Sequence, residues 1–192
     1  MAKKVLILKG SPRQQGNSSV LADQVRAGAE GAGAVVESVY LHGLDIHPCD
    51  GCYFCQGTGV CAIDDDMQAL YPKLRQADAI VIASPVYWFT FSAQVKLCVD
   101  RWLALETSDG NELSGKQIGI VLTYGDADVV ASGGINAIHT FQSIFAYIGA
   151  EIVGFVHGTA NKAGEVKEQP ALMASALKLG QQLGSGGPAC PS

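Results

Sequence analysis

Four of the six cysteines stand at positions 49, 52, 55 and 61, in the run CDGCYFCQGTGVC. Thiols at such short separations share one loop, and in a reducing compartment that crowding favours metal ligation or redox chemistry over structural disulfides. A second chemical stretch follows the first apolar run: Gly10-Ser-Pro-Arg-Gln-Gln-Gly-Asn-Ser-Ser19. It offers hydroxyls, an amide, a guanidinium and free backbone N–H groups at the start of a helix, a combination suited to a phosphate dianion. Read alone, it is nearly as well explained as a Gly/Ser turn with a capping Asn17.

Two further segments complete the chemistry. Ser84-Pro-Val-Tyr-Trp-Phe89 is an aromatic stretch on which a flat heterocycle could lie; its plainer reading is a set of surface aromatics over a loop. Thr123-Tyr-Gly-Asp126 supplies a glycine for close backbone approach and polar groups for a ring edge, with a simple turn as its alternative.

The elements that must position these segments follow from the periodicity. β-Branched and apolar runs at 4–8, 35–41, 79–84, 117–123 and 151–157 alternate with helical patterns. The alternation predicts an α/β domain with a doubly wound five-stranded parallel sheet, for which the order 2-1-3-4-5 is expected. The run 35–41 carries Glu37, Ser38 and Tyr40, which marks an edge strand. Asn17 is expected to cap a helix whose stripe of Val20, Leu21, Val25, Gly28 and Ala29 packs into the core. Asp64, Asp65 and Asp66 suit the N-terminus of the next helix better than they suit a metal, and Pro72 predicts a kink or a late start there. Further helices are expected over 92–106, 133–149 and 165–183. His139, His157 and Cys98 read as structural. The organisation is one domain over 1–184 carrying the cysteine loop, with a flexible tail over 185–192 that includes Cys190.

In such a sheet, ligands bind beyond the carboxyl ends of the strands, near the point where strand order reverses. The loops after strands one, three and four meet there. The first lacks GxGxxG and GKS/T, and the run 35–41 lacks the terminal acid that would hold a dinucleotide ribose. No cysteine is followed six residues later by arginine, and strand one ends in Leu8-Lys9-Gly10 rather than in carboxylates. Phosphatase and receiver chemistries therefore lose ground, and the convergence of the three loops favours FMN.

With these motifs in hand, the chain resembles the flavodoxin-like NADPH-dependent FMN reductases, and among them the iron-sulfur flavoproteins, from about Lys3 to Leu183. The resemblance implies that Ser11, Arg13, Asn17, Ser18 and Ser19 hold the FMN phosphate. It further implies that Pro85, Val86, Tyr87 and Trp88 line the isoalloxazine, and that Thr123, Tyr124, Gly125 and Asp126 complete its pyrimidine side. Cys49, Cys52, Cys55 and Cys61 then become ligands of a [4Fe-4S] cluster, one thiolate per iron. A loop of bare thiols ranks second. Zinc ranks third, including a Cys₃His set with His42 or His47, because structural zinc ordinarily uses two separated knuckles.

Hydride chemistry would belong to the flavin, and no side chain is assigned a catalytic role. The expected function is an FMN-dependent oxidoreductase passing electrons between FMN, the cluster and an external small-molecule or protein donor or acceptor, with NAD(P)H as a donor. The alternatives are a flavodoxin-like electron carrier without NAD(P)H oxidation, a cluster-free reductase with a thiol or zinc loop, and a metal-sensing or scaffold protein on an inherited fold. The resemblance also implies a homodimer or homotetramer.

Composition limits the remaining classes. Of 192 residues, 48% are hydrophobic and 16% charged, which argues against disorder. Thirteen basic against eighteen acidic residues give a net charge of −5, so neither nucleic acid nor an anionic membrane is an expected partner. The apolar runs fall short of the roughly 20 residues of a membrane helix, and the N-terminal Met-Ala-Lys-Lys lacks a secretory pattern, pointing to a cytoplasmic protein.

Overall fold

The computed structural model describes residues 2–185. In chain order the elements are β1 (Lys4–Lys9), α1 (Asn17–Gly31), β2 (Val35–Tyr40), α2 (Phe54–Thr58), α3 (Met67–Gln76), β3 (Ala79–Tyr87), β4 (Thr90–Phe91), α4 (Ala93–Asp100), β5 (Glu106–Thr107), β6 (Gly110–Asn111), β7 (Gln117–Tyr124), α5 (Gly134–Ile148), β8 (Glu151–Thr159) and α6 (Pro170–Ser185). The five long strands form a parallel sheet in the order β2-β1-β3-β7-β8. That is the expected doubly wound α/β order, with β2 at an edge.

Side chains on successive strand residues point to opposite faces, and the apolar runs divide accordingly. Leu6, Leu8, Ile80, Ile82, Ile118, Ile120 and Leu122 pack with residues of α3, α4 and α5. Val5, Ile7, Ala79, Val81, Ala83 and Val121 pack on the other side with α1 and α6. Both faces are covered, which is why β3 opens on six fully buried residues, whereas β2 is more exposed along its length. The helices α1 and α6 approach closely enough for their backbones to touch. A Cβ on Gly28 would lie 2.1 Å from the Leu177 carbonyl oxygen, and one on Gly180 would lie 2.0 Å from that of Val25.

Several expectations need correction. Asn17 does not cap α1: Gly16 occupies the cap position, and the Asn17 side chain instead donates to the Lys162 carbonyl and accepts from the Val166 N–H. Of the two outcomes expected at Pro72, the late start does not occur: α3 starts at Met67 and runs through the proline, which is exposed. The helix foreseen over 92–106 tightens after Asp100 into a 3₁₀ turn at Arg101–Leu105. The one foreseen over 165–183 is a 3₁₀ turn at Glu165–Glu168 followed by α6, which Pro170 opens. Ser185 belongs to α6, and the rest of the expected tail, with Cys190, lies outside the described residues. The short strands β4, β5 and β6 were not legible in the periodicity. Among the described residues, no helix is long and apolar enough to cross a membrane.

The α1–α6 contact makes a paired test. Gly180→Ala is expected to lower stability by about 1–3 kcal/mol, because the methyl must displace backbone. Gly31→Ala, with no atom within 4 Å of the added carbon, is expected to raise it by about 0.4–1 kcal/mol through the unfolded chain. Urea unfolding of both variants measures the difference.

Candidate functional site

The loops leaving β1, β3, β7 and β8 lie at one edge of the sheet, and hydrogen bonds tie them together. The ladder continues past the strand ends, with Gly10 N–H donating to Ala83 O at 2.8 Å and Ala160 N–H donating to Tyr124 O at 2.7 Å. Buried Ser92 donates its hydroxyl to Gly10 O at 2.7 Å, while its N–H donates to Ser84 Oγ at 2.9 Å. Asn161 Nδ2 donates to Gly125 O, and Thr159 Oγ1 donates to Asp126 O, both at 2.8 Å.

Between these loops lies a cavity of about 270 Å³. Ser11, Arg13, Gly16, Asn17 and Ser18 line one side of it, Pro85, Val86 and Tyr87 a second, and Thr123, Tyr124 and Gly125 a third. The first N–H groups of α1 have no partner within the helix and carry its positive dipole end. Ser18 Oγ is buried there without a hydrogen-bond partner. An orphaned hydroxyl beside a helix N-terminus fits the phosphate of a flavin mononucleotide.

A wider, open cavity of about 660 Å³ adjoins the first and shares Val86, Tyr87, Tyr124 and Gly125 with it. Its remaining walls are Trp88 and Phe89 on one side and Asp126, Ala131 and Ser132 on the other. Tyr124 is buried, and its hydroxyl lies 2.9 Å from His157 Nδ1. Burial raises the Tyr124 pKa and lowers that of His157.

The cysteine loop rests on a buried ion pair. Arg101 and Asp65 are almost wholly excluded from solvent and meet through two hydrogen bonds, Nη1 to Oδ2 at 2.5 Å and Nη2 to Oδ1 at 3.2 Å. The same guanidinium donates to His47 O at 2.9 Å, to Ile63 O at 3.3 Å and to Cys61 Sγ at 3.2 Å, so it grips both stems of the loop and one thiol. Burial acts to raise the Asp65 pKa, but the Arg101 guanidinium and the N–H groups of His47 and Met67 outweigh it and hold the carboxyl below its ordinary value. Cys49 and Cys52 are exposed, Cys61 is half-buried and Cys55 is buried, and all four are free thiols. Burial pushes the Cys55 thiol up, with Cys61, Cys49 and Cys52 adding to the effect. Among the described residues, no three His, Cys, Asp or Glu side chains are gathered as a metal-holding group.

Of the residues singled out in the sequence, Ser11, Arg13, Asn17, Ser18, Pro85, Val86, Tyr87, Thr123, Tyr124 and Gly125 line the inner cavity, while Trp88 and Asp126 line the outer one. Ser19 lines neither; its hydroxyl donates to Arg13 O and braces the loop. Ala160, Asn161 and Ala163 of the loop after β8 were missed, as were Phe89, Ala131 and Ser132. Position in the fold was the available signal for the β8 loop, since it leaves a carboxyl end at the same edge. His42 and His47 contact Gln94 and Asp45 respectively.

A parallel sheet in this order, with a helix N-terminus, an aromatic hairpin and polar loops at its carboxyl edge, defines a flavodoxin-like fold. The family model for NADPH-dependent FMN reductases matches residues 3–164. The chain is 33% identical over 161 residues to an iron-sulfur flavoprotein of Methanocaldococcus jannaschii, covering 84% of this chain and 81% of the relative. It is likewise 33% identical over 185 residues to an iron-sulfur flavoprotein of Archaeoglobus fulgidus, covering 95% and 77%. In fold it is similar to an NAD(P)H:quinone oxidoreductase from Methanothermobacter marburgensis, with a TM-score of 0.76 at 16% identity over 95% of this chain and 98% of that one. This chain belongs to the NADPH-dependent FMN reductase family and is an FMN-dependent oxidoreductase.

Arg101→Met leaves Asp65 buried without its partner and is expected to cost about 3–5 kcal/mol at neutral pH. Because the folded pKa of Asp65 is depressed, its contribution is complete above about pH 4, the unfolded value, and fades as pH falls through the lower folded value. The stability gap between wild type and variant is therefore expected to narrow in acid, as urea unfolding at pH 7 and pH 3 would measure.

Proposed function

We propose that the inner cavity binds FMN, with its phosphate at the α1 N-terminus and its ring between the β3 and β7 loops, and that the outer cavity admits the electron donor or acceptor. The observation that carries this reading is the continuity of the two cavities: a phosphate-type cradle with an orphaned hydroxyl runs into an aromatic-walled opening through four shared residues. Ser11, Arg13 and Ser18 supply side-chain donors. Asn17, whose amide is already committed to the loop after β8, contributes its backbone N–H. Ser19 acts by holding Arg13 in place. Pro85, Val86, Tyr87 and Trp88 face the ring, and Thr123, Tyr124, Gly125 and Asp126 meet its polar edge.

The chemistry such a flavin supplies is hydride acceptance and electron transfer. The chain binds and orients it, and the apolar wall limits water on one side. NAD(P)H is the donor that the family implies.

The loop Cys49, Cys52, Cys55 and Cys61 is assigned to a [4Fe-4S] cluster. Its support is the spacing, a donor set made of thiols alone, and the relatives named iron-sulfur flavoproteins. The thiol positions do not add to that support, since no metal-holding set is assembled among the described residues. Arg101 would place a permanent positive charge beside the Cys61 ligand.

Flavin binding is tested by titrating the purified protein with FMN and following its absorbance and fluorescence. Saturation at one FMN per chain is expected, and Ser18→Ala is expected to weaken it by roughly ten- to hundredfold through loss of a charge-assisted hydrogen bond. No binding at micromolar flavin would remove the reading. For the loop, anaerobic reconstitution is expected to load about four irons per chain, with Cys→Ser variants losing iron while keeping FMN; zinc alone, or no metal, would reject the cluster.

A further inference from the structure

The turn joining β3 to β4 has an unusual composition for its shape. Tyr87 pairs with Thr90 and Val86 with Phe91, leaving Trp88 and Phe89 as the two central residues. Both have positive φ, 46° and 67°, as a type I′ hairpin turn requires. Such turns ordinarily carry Asn-Gly, because the left-handed region crowds a bulky side chain. Two adjacent aromatics there are unfavourable for the backbone, and Trp88 buries almost nothing in return, being 92% exposed. Conformations of this kind persist where surrounding structure over-determines them.

The surrounding structure is the start of α5. Gly133, itself at φ 74°, sits directly against Phe89: a Cβ at this position would lie 2.5 Å from Phe89 Cα, Cβ and Cδ1. One turn into the helix, Asn136 Nδ2 donates to Phe89 O at 3.2 Å. Phe91 stacks on Phe141 with ring centroids 4.7 Å apart. Neither Gly133 nor Asn136 lines the outer cavity, whose walls include both Trp88 and Phe89.

We propose that Gly133 and Asn136 are positioning residues for the exchange partner of the flavin. They hold Trp88 and Phe89 in the left-handed turn, so that the outer cavity presents a preformed aromatic wall to a flat ring. This inference rests on the reading of the outer cavity as the place where donor or acceptor enters. It assigns the strained turn to the recognition of planar π-systems, because an Asn-Gly turn would serve the hairpin alone.

The test uses Gly133→Ala, Asn136→Ala and the turn variant Trp88→Asn/Phe89→Gly, with menadione as the flat acceptor and NADPH as donor. All three are expected to raise the KM for menadione about three- to tenfold, the worth of an aromatic contact; in Gly133→Ala and Asn136→Ala, which touch neither cavity, the FMN dissociation constant is expected within about twofold of wild type and kcat largely kept. Hydrogen exchange over residues 86–91 of the flavin-free protein is expected to speed up in Gly133→Ala and Asn136→Ala. In the Phe89→Gly background, Gly133→Ala is expected to raise KM less than it does alone, since two of its three close contacts are gone while the one to the residue 89 Cα stays. Unchanged KM in the single variants, or unchanged exchange over 86–91, overturns the proposal; should Gly133→Ala not fold, Asn136→Ala carries both readouts. Failure of the wild type to bind FMN is a separate result that removes the flavin reading, while the exchange data still decide whether α5 holds the turn.

Discussion

The parallel register of β1, β3, β7 and β8 is the constraint on which the rest of this structure depends. Strands about 4.8 Å apart deliver their carboxyl ends to one line, and here the ladder does not stop where the strands do. Gly10 and Ala160 each donate one more hydrogen bond across it, to Ala83 and Tyr124. The loops that build the site therefore begin as extensions of the sheet. Ser92 closes the arrangement from below, joining the β1 loop to β3 through two bonds of one residue.

Around that frame, two segments are held in place by very different means. The cysteine loop is anchored by charge: the two terminal nitrogens of a buried guanidinium donate to a carboxylate, two carbonyls and a sulfur, and so fix stems fourteen or more residues apart in the chain. Burying such a pair is weak evidence for added stability, but removing either partner would leave an uncompensated charge, so the geometry is strongly specified. The aromatic hairpin is anchored by shape, through a glycine that leaves room and an amide that takes up a carbonyl. The first device tolerates exposed cysteines above it; the second keeps exposed aromatics in a conformation they would not choose.

Much of this was legible in the order of residues. The alternation of apolar runs with helical stripes made the parallel, doubly wound sheet legible, because a strand buried on both faces must be apolar throughout, as β3 and β7 are over most of their length. The phosphate-type loop, the aromatic stretch and the Thr123–Asp126 turn, each readable alone as a plain connection, stood out because all three follow strands whose carboxyl ends meet at one edge. The Asn17 role was misread because a capping amide and an amide bridging to a distant loop look alike in one dimension. Ala160, Asn161 and Ala163 carried no chemical signature, since alanines and an asparagine after a strand describe almost any loop.

Residue type and spacing determined what could be decided locally: which runs are strands, which stretch favours an anion, where four thiols share a loop. The pairing of Arg101 with Asp65, the seat of Phe89 on Gly133 and the junction of two cavities through Val86, Tyr87, Tyr124 and Gly125 were decided by tertiary structure alone. Their partners lie 36 to 44 positions apart, or on different strands. No local periodicity encodes contacts of that range; they exist because packing both faces of one sheet leaves each helix and loop a single place to lie.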